Sequence, residues 1–324
     1  MPFIFWGLLS LPCLLLGWFF LNRALSPWRA MRLRKLELGP VPPSTFAGRL
    51  RLGAYNIVHG RGMPPDRRFR VGKEGLLTRL NRIAQMLQDA NLDLVVLNEV
   101  DFDSVRSHGL NQAEYLARAA GFPFWVEQLN VDMALPWARM RYGNALLSRY
   151  PILTARRTAL VGHSAWETAL IGKKQGLLCS IQLEEAHLIG VMAVHLEHRR
   201  EDRRLQAAKI MDEVRLTSSL PLILAGDFNS TPLNYSHAPP DNQGQTALSW
   251  LLGRGAYQTW PTGPPRREDL TFPSHEPQTV IDWILIPRDW KIISKEVRGG
   301  RLSDHLAVVM EVEVRGETEG CYSS

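Results

Sequence analysis

The chain has 324 residues, 45% of them hydrophobic, which excludes intrinsic disorder and suffices for one large α/β domain or two smaller ones. Its 3 cysteines, Cys13, Cys179 and Cys321, are odd in number and widely spaced, which excludes a disulfide framework and a CxxC metal knuckle. The formal net charge is +6, but residues 23–48 carry Arg23, Arg29, Arg32, Arg34 and Lys35 against Glu37, so that segment holds +4 and only +2 remains for residues 49–324. Nucleic-acid binders concentrate cations because counterion release drives their affinity, so nucleic acid stays open as a partner that the charge does not favour.

Residues 3–21, FIFWGLLSLPCLLLGWFFL, form an uncharged apolar run about as long as a helix needs to cross a bilayer. Trp6 near one end and Trp18 and Trp28 toward the other suit the interfacial preference of indole, and Pro12 kinks such a helix without abolishing it. Residues 1–22 read as an uncleaved, single-pass transmembrane anchor. The alternatives are a signal peptide, which wants a basic leader that Met1 and Pro2 do not supply, and a buried core helix. Five cations follow the run and none precede it, which places the bulk of the chain on the cytoplasmic face of the membrane. Residues 23–48, with Pro27, Pro40, Pro42 and Pro43, read as a stiff basic linker that either touches anionic headgroups or is merely solvated.

The globular domain is expected over residues 49–315, with a short flexible tail at 316–324. Leu50, Leu52 and Ala54 alternate with Arg51, Gly53 and Tyr55 in a half-buried strand that ends at Asn56. A helix follows at about 74–90, with Leu76, Leu80, Ile83, Ala84 and Leu87 at helical spacing. The run DLVVLNEVD, 93–101, reads as a buried strand whose exit is Glu99. A second helix near 111–120 and strands at 122–128 and 142–148 come next. The segment VDMALPWARM, 131–140, is apolar but broken by Pro136, and reads as a buried excursion or as an exposed loop that meets substrate or membrane. Strands at 152–160, 176–184 and 187–194 lead to His195 and His198, then a charged helix at 201–216. The stretch LPLILAGDFNSTP, 220–232, drives an apolar strand into Gly226 and delivers Asp227 and Asn229 at its end, a pattern that suits either a turn or a catalytic rim. A polar loop at 231–244 precedes three closing strands, TVIDWILIP, KIISKEV and DHLAVVMEVEV. If these form an antiparallel meander, Asp282 and His305 fall side by side, and an Asp that accepts from one ring nitrogen fixes the tautomer of its His.

Candidate strands thus begin or end in Asn56, Glu99, His195, Asp227 with Asn229, Asp282, and Asp304 with His305. Each has an ordinary structural explanation alone, and together they suggest one site. The pieces LGAYNIVHG, LDLVVLNEVD, YGNALLSRYPI, VMAVHLEHR, LILAGDFNSTP, VIDWILIP and LSDHLAVVMEV span residues 50–314, and in this order they resemble the endonuclease/exonuclease/phosphatase superfamily of metal-dependent phosphoesterases. That superfamily also includes phosphoinositide phosphatases and neutral sphingomyelinases. The resemblance implies a four-layer α/β/β/α sandwich of two mixed sheets, with the site in a cleft at one edge. It implies Glu99 as the principal metal carboxylate, with Asn56 beside it and Asp304 on the metal side. Asp227 looks like the base that deprotonates water, Asn229 orients it, and Asp282 with His305 looks like the dyad. His195 matches a group that contacts the scissile phosphate, His198 a nearby phosphate contact, and Asn144 a substrate-side or supporting residue. Tyr55 stands where Trp or Phe is usual and Asn98 where Gln is common. Val58 replaces an acid found in some nucleases, which puts a second metal there in doubt.

Oxygen ligands favour a hard cation, Mg²⁺ or else Mn²⁺, which neutralises a phosphoester while a base holds water in line. The leading expectation is a membrane-tethered phosphoesterase acting on a lipid headgroup or small phosphoester. A nuclease of the same mechanism and a catalytically inactive membrane scaffold are the alternatives, and no protein partner is expected. Substrate specificity is expected to reside in loops such as 131–140 and 231–244.

Overall fold

The computed structural model describes residues 12–22, 24–25, 31–35, 45–63, 71–134, 138–160, 175–198, 201–235, 238 and 244–315. Helix α1 covers 12–22, within the apolar run, and leaves Leu14, Leu16, Phe20 and Leu21 more than half exposed. The first part of that run lies outside the described residues, as does the tail at 316–324. Among the described residues no helix is long and apolar enough to cross a membrane.

Two sheets face each other. The first has seven strands in the order β1-β4-β5-β3-β2-β13-β12: β1 (Met31–Lys35), β2 (Arg49–Asn56), β3 (Leu94–Asp101), β4 (Phe124–Ala134), β5 (Arg139–Ser148), β12 (Lys291–Arg298) and β13 (Ala307–Glu313). The second has six in the order β10-β11-β9-β8-β7-β6: β6 (Ile152–Ala159), β7 (Gln175–Gln182), β8 (Leu188–His195), β9 (Leu222–Asp227), β10 (Tyr257–Gln258) and β11 (Asp282–Pro287). Both are mixed, because β2 runs parallel to β3 and β8 parallel to β9 while their other pairings are antiparallel. Parallel neighbours need a crossover, and helices α2 (Lys73–Asp89) and α4 (Glu201–Thr217) supply it. Helices α3 (Gln112–Ala120) and α5 (Ala247–Gly253) complete the outer layers.

Strand alternation decides which side chains meet. Leu50, Leu52 and Ala54 of β2, Leu94 and Val96 of β3, and Ile223 and Ala225 of β9 point into the core between the sheets. Tyr55 of β2 and Val95 and Leu97 of β3 face outward onto Leu76, Leu80 and Ile83 of α2, and Leu222 and Leu224 of β9 face Ala208 and Met211 of α4. Each large aliphatic side chain buried this way contributes about 1.5–3 kcal/mol. Helix ends are capped locally: Asn111 accepts from the Glu114 N–H at the start of α3 (3.2 Å) and Thr246 from the Ser249 N–H at the start of α5 (3.1 Å).

Three expectations are corrected. The 23–48 linker is not all tether, because β1 pairs antiparallel with the outer edge of β4, Met31 opposite Gln128 and Leu33 opposite Val126. Met31 also packs against the inter-sheet core, and satisfying an open strand edge favours the pairing. The 131–140 segment is neither excursion nor simple loop, since β4 runs on to Ala134 and pairs back onto β5 from Arg139, while 135–137 lie outside the described residues. The closing strands are not a meander. β11 pairs with β9 in the six-stranded sheet, whereas β12 and β13 pair in the seven-stranded one, because Trp290 between them buries its ring in the inter-sheet core and carries the chain across.

Candidate functional site

The register of three adjacent strands sets one wall. His195 at the end of β8 is the direct partner of Asp227 at the end of β9, and Asp227 is the direct partner of Asp282 at the start of β11. All three are buried. The chain reaches Asp227 through Gly226, whose φ of +134° favours glycine and where a Cβ would lie 2.1 Å from the Val194 carbonyl oxygen.

The opposite wall comes from the seven-stranded sheet. Asn56 ends β2. In β3 the register against β5 slips between Leu97 and Val100, so Asn98 and Glu99 share one place opposite Asn144, and Glu99 takes a left-handed φ of +53°. Such a bulge re-aims a side chain at a sheet rim. Asn56 Nδ2 then reaches both Glu99 Oε1 (3.4 Å) and Asp227 Oδ2 (3.1 Å), joining the two sheets. His195 Nε2 lies 3.6 Å from Asp227 Oδ2 and 3.9 Å from Glu99 Oε1. Just before β13, His305 Nδ1 donates to Asp282 Oδ2 (2.9 Å), while its Nε2 lies 3.9 Å from both Asp227 Oδ2 and Asp304 Oδ1. The expected neighbourhood of Asp282 and His305 is therefore real, but it is made across the sandwich.

Asp227 has two different oxygens. Oδ1 accepts from the Asn229 N–H (2.9 Å), and the Asn229 amide donates on to the Leu196 carbonyl (3.1 Å). Oδ2 faces Asn56, His195 and His305. For His305, burial alone would lower the pKa, but the charges of Asp282 and Asp227, the hydrogen bond to Asp282 and the charge of Asp304 push it up to about 10. These neighbours favour the charged ring and leave Nε2 turned to the cluster.

The donor chemistry fits a hard divalent cation. Oxygens of Asp227 and Asp282 and a ring nitrogen of His305 lie within 4.8 Å of one another, and no thiolate takes part. Within that trio His305 Nδ1 is held by Asp282 and Nε2 is turned to the cluster, while Glu99 nearby is the more open carboxylate, its side chain 24% exposed.

The two expected substrate-side residues differ in their surroundings. Asn144 is fully buried and its amide is used up: Nδ2 donates to Gln128 Oε1 (2.9 Å) and the Gln175 carbonyl (3.1 Å), and Oδ1 accepts from Asn98 Nδ2 (2.9 Å). Through the last of these bonds it holds Asn98. His198 is at the outer rim, its side chain 60% exposed, with Nδ1 3.5 Å from Glu197.

Several residues escaped the sequence reading. Asn98 accepts from the Asp227 N–H (2.9 Å) and donates to the Val194 carbonyl (3.0 Å), pinning β9 and β8 to β3. Its signal was a polar residue within the apolar run LVVLNEVD. Ser303 Oγ donates to the Asn56 carbonyl (2.7 Å) and accepts from the His305 N–H (3.2 Å). Behind Glu99, His59 Nε2 lies 3.3 Å from Oε2 and its Nδ1 3.1 Å from Asp101 Oδ1, and Arg106 grips Asp101 with three hydrogen bonds while lying over the Tyr142 ring. Burial would raise the Asp101 pKa, but hydrogen bonds from His59 and Arg106 outweigh it and hold the carboxyl below its ordinary value.

A family model described as Endonuclease/Exonuclease/phosphatase family matches residues 67–305. The chain belongs to that family. Its members are divalent-metal-dependent phosphoesterases and nucleases, and this chain is an enzyme of that kind. Solved structures share the fold. An endonuclease/exonuclease/phosphatase from Beutenbergia cavernae is 21% identical over 83% of this chain and 72% of its own, with a TM-score of 0.61. One from Bacteroides vulgatus is 19% identical over 82% and 99%, with a TM-score of 0.59, and truncated Caenorhabditis elegans TDP2 is 13% identical over 82% and 98%, with a TM-score of 0.52. No curated protein matches the chain.

Proposed function

We propose that this family member is a membrane-tethered, Mg²⁺-dependent hydrolase of a lipid headgroup or small phosphoester. The observation that carries the catalytic part is the convergence of Asn56, His195 and His305, from both sheets, on the single oxygen Oδ2 of Asp227. With Oδ1 occupied by the Asn229 N–H, Oδ2 is the base that takes the proton of the attacking water. Glu99, Asn56 and Asp304 would hold the cation, Mg²⁺ or else Mn²⁺. When bound, the cation neutralises the non-bridging phosphate oxygens. His305, kept protonated and oriented by Asp282, donates from Nε2 to a phosphoryl oxygen, and His195 contacts the leaving side.

The tether reading is supported by the exposed apolar residues of α1 and by the concentration of charge in residues 23–48. On the basic-side rule the catalytic domain faces the cytoplasm. A nuclease using the same residues is the second reading, favoured by the breadth of the family and opposed by the net +2 of residues 49–324. The deciding assay incubates the purified full chain with Mg²⁺ and either a panel of phospholipids, scored for released phosphate or headgroup, or supercoiled plasmid, scored for nicking. Lipid turnover without nicking is expected. Nicking alone would replace the substrate class, and inactivity on both substrates would leave an anchored scaffold.

A further inference from the structure

Away from the catalytic rim, a cleft of about 530 Å³ opens between the C-terminal half of α2 and the turn that joins β12 to β13. Its size lies in the range of about 300–1,000 Å³ usual for small-ligand sites. Arg82 and Asp89 come from the helix, Arg298 from the end of β12 and Arg301 from the turn, with Met86 and Leu302 as its half-buried apolar parts. Three guanidinium groups thus face one carboxylate. Asp89 is already occupied, accepting from Gln85 Nε2 at 2.8 Å. Arg298 reaches Glu296 at 2.9 Å, but the same carboxylate also binds Arg51 at 3.1 Å, and Glu311, which pairs with Arg51 at 3.1 Å, is shared with Arg49, so two carboxylates serve three cations. Arg82 and Arg301 are exposed and make no ion pair among the described residues.

We propose that this cleft is a second anion site, separate from the catalytic centre, that holds the phosphate monoester headgroup of a lipid. A guanidinium presents paired N–H donors that match phosphate oxygens, and a dianion relieves the mutual repulsion of three cations. The compact shape favours a headgroup over a nucleic-acid strand, whose backbone needs a track of cations. Met86 and Leu302 suit the apolar continuation of a lipid. Arg301 lies three residues before Asp304, so an occupied cleft seats the turn that carries Asp304 and His305 against the lipid surface.

This inference deepens the lipid reading, and its test is separable from catalysis. The full chain, in neutral detergent micelles, is titrated with phosphatidate doped into the micelles, with glycerol 3-phosphate in solution, or with a single-stranded oligonucleotide. Hydrolysis of bis(p-nitrophenyl) phosphate is followed in parallel. The double variant R82Q/R301Q is expected to bind phosphatidate at least about 10-fold more weakly than wild type, with unchanged hydrolysis and melting temperature, and R301K to recover only part of the loss. The apolar run sits in the micelle in every variant, so the difference reports the headgroup. Arginine-dependent binding of glycerol 3-phosphate as tight as that of phosphatidate would support the phosphate site and make its source soluble. Equal phosphatidate affinity in wild type and R82Q/R301Q overturns the proposal, as does an oligonucleotide that displaces phosphatidate through the same arginines. A wild-type chain that binds phosphatidate but hydrolyses nothing would sink the catalytic reading and leave this site standing.

Discussion

Glu99 sits at φ +53°, and the two residues preceding Gly60, Val58 and His59, at +46° and +56°. A non-glycine residue in that region costs on the order of 1–3 kcal/mol, and three such residues gathered around one carboxylate mean that the surrounding packing enforces its direction. Glu99→Gln keeps the shape and the Asn56 contact but removes the charge; Asp227→Asn replaces the carboxylate on which Asn56, His195 and His305 converge. Each is expected to lower kcat by roughly 10²–10⁴ in steady-state kinetics at saturating Mg²⁺, with the melting temperature in EDTA little changed. Full turnover in either variant refutes its assignment. Tyr55 illustrates the opposite case. Its hydroxyl is buried without a partner among the described residues, and burial, with the charges of Asp282 and Asp304, pushes its pKa up. Tyr55→Phe removes an unsatisfied polar atom and should stabilise the chain by about 1 kcal/mol in urea unfolding, leaving activity intact. A loss of that size would mean that the hydroxyl is hydrogen-bonded after all. At this scale the sequence exposed the reactive carboxylates and histidines, because polar residues at the ends of apolar runs are conspicuous. It hid the holders, Asn98, His59 and Ser303, because nothing in a linear string says which backbone group a side chain will meet.

The strands explain both what was legible and what was not. Periodicity located β2, β3, β8, β9 and α2 closely, since each buries one face or both and its apolar spacing records that. Pairing is a different matter. TVIDWILIP and KIISKEV are separated by a few residues, which suggests a hairpin, yet the buried Trp290 sends them to different sheets. MRLRK, amid prolines, looks like tether, yet the open edge of β4 takes it up. Both outcomes depend on partners far away in the chain. Gly226 links the element level to the site, because it brings β9 so close to β8 that any side chain would strike the Val194 carbonyl and Asn98 Oδ1. Gly226→Ala combines a forbidden φ with that clash and should cost about 3 kcal/mol or more of stability, and also displace the Asp227 N–H from Asn98. Denaturant unfolding alongside activity would show both losses together. A variant as stable as the parent would mean that the β8–β9 approach is looser than described.

Across the whole molecule, the site lies at the rim of the apolar core that the two sheets share, where a few polar groups bridge them. Asn56 spans from β2 to Asp227, Asn98 from β3 to Val194 and Asp227, and His305 from the β13 side to Asp282. The same rim gathers Glu99, Asp227, Asp282 and Asp304, whose mutual repulsion works against the two sheets staying closed. A cation on Glu99 and Asp304 would cancel part of that repulsion, so binding should stabilise the folded domain as a whole. Linkage sets the size: at about 100 times its dissociation constant a ligand adds about 2.7 kcal/mol, which for a domain of this size raises the melting temperature by roughly 5–10 °C. Thermal melts in EDTA and in rising Mg²⁺ should show that increase, saturating over the concentration range that restores hydrolysis, and Glu99→Gln should flatten it. An increase that survives in Glu99→Gln would place the cation elsewhere, on the Asp227, Asp282 and His305 trio, and would reverse the division of labour between metal ligand and base.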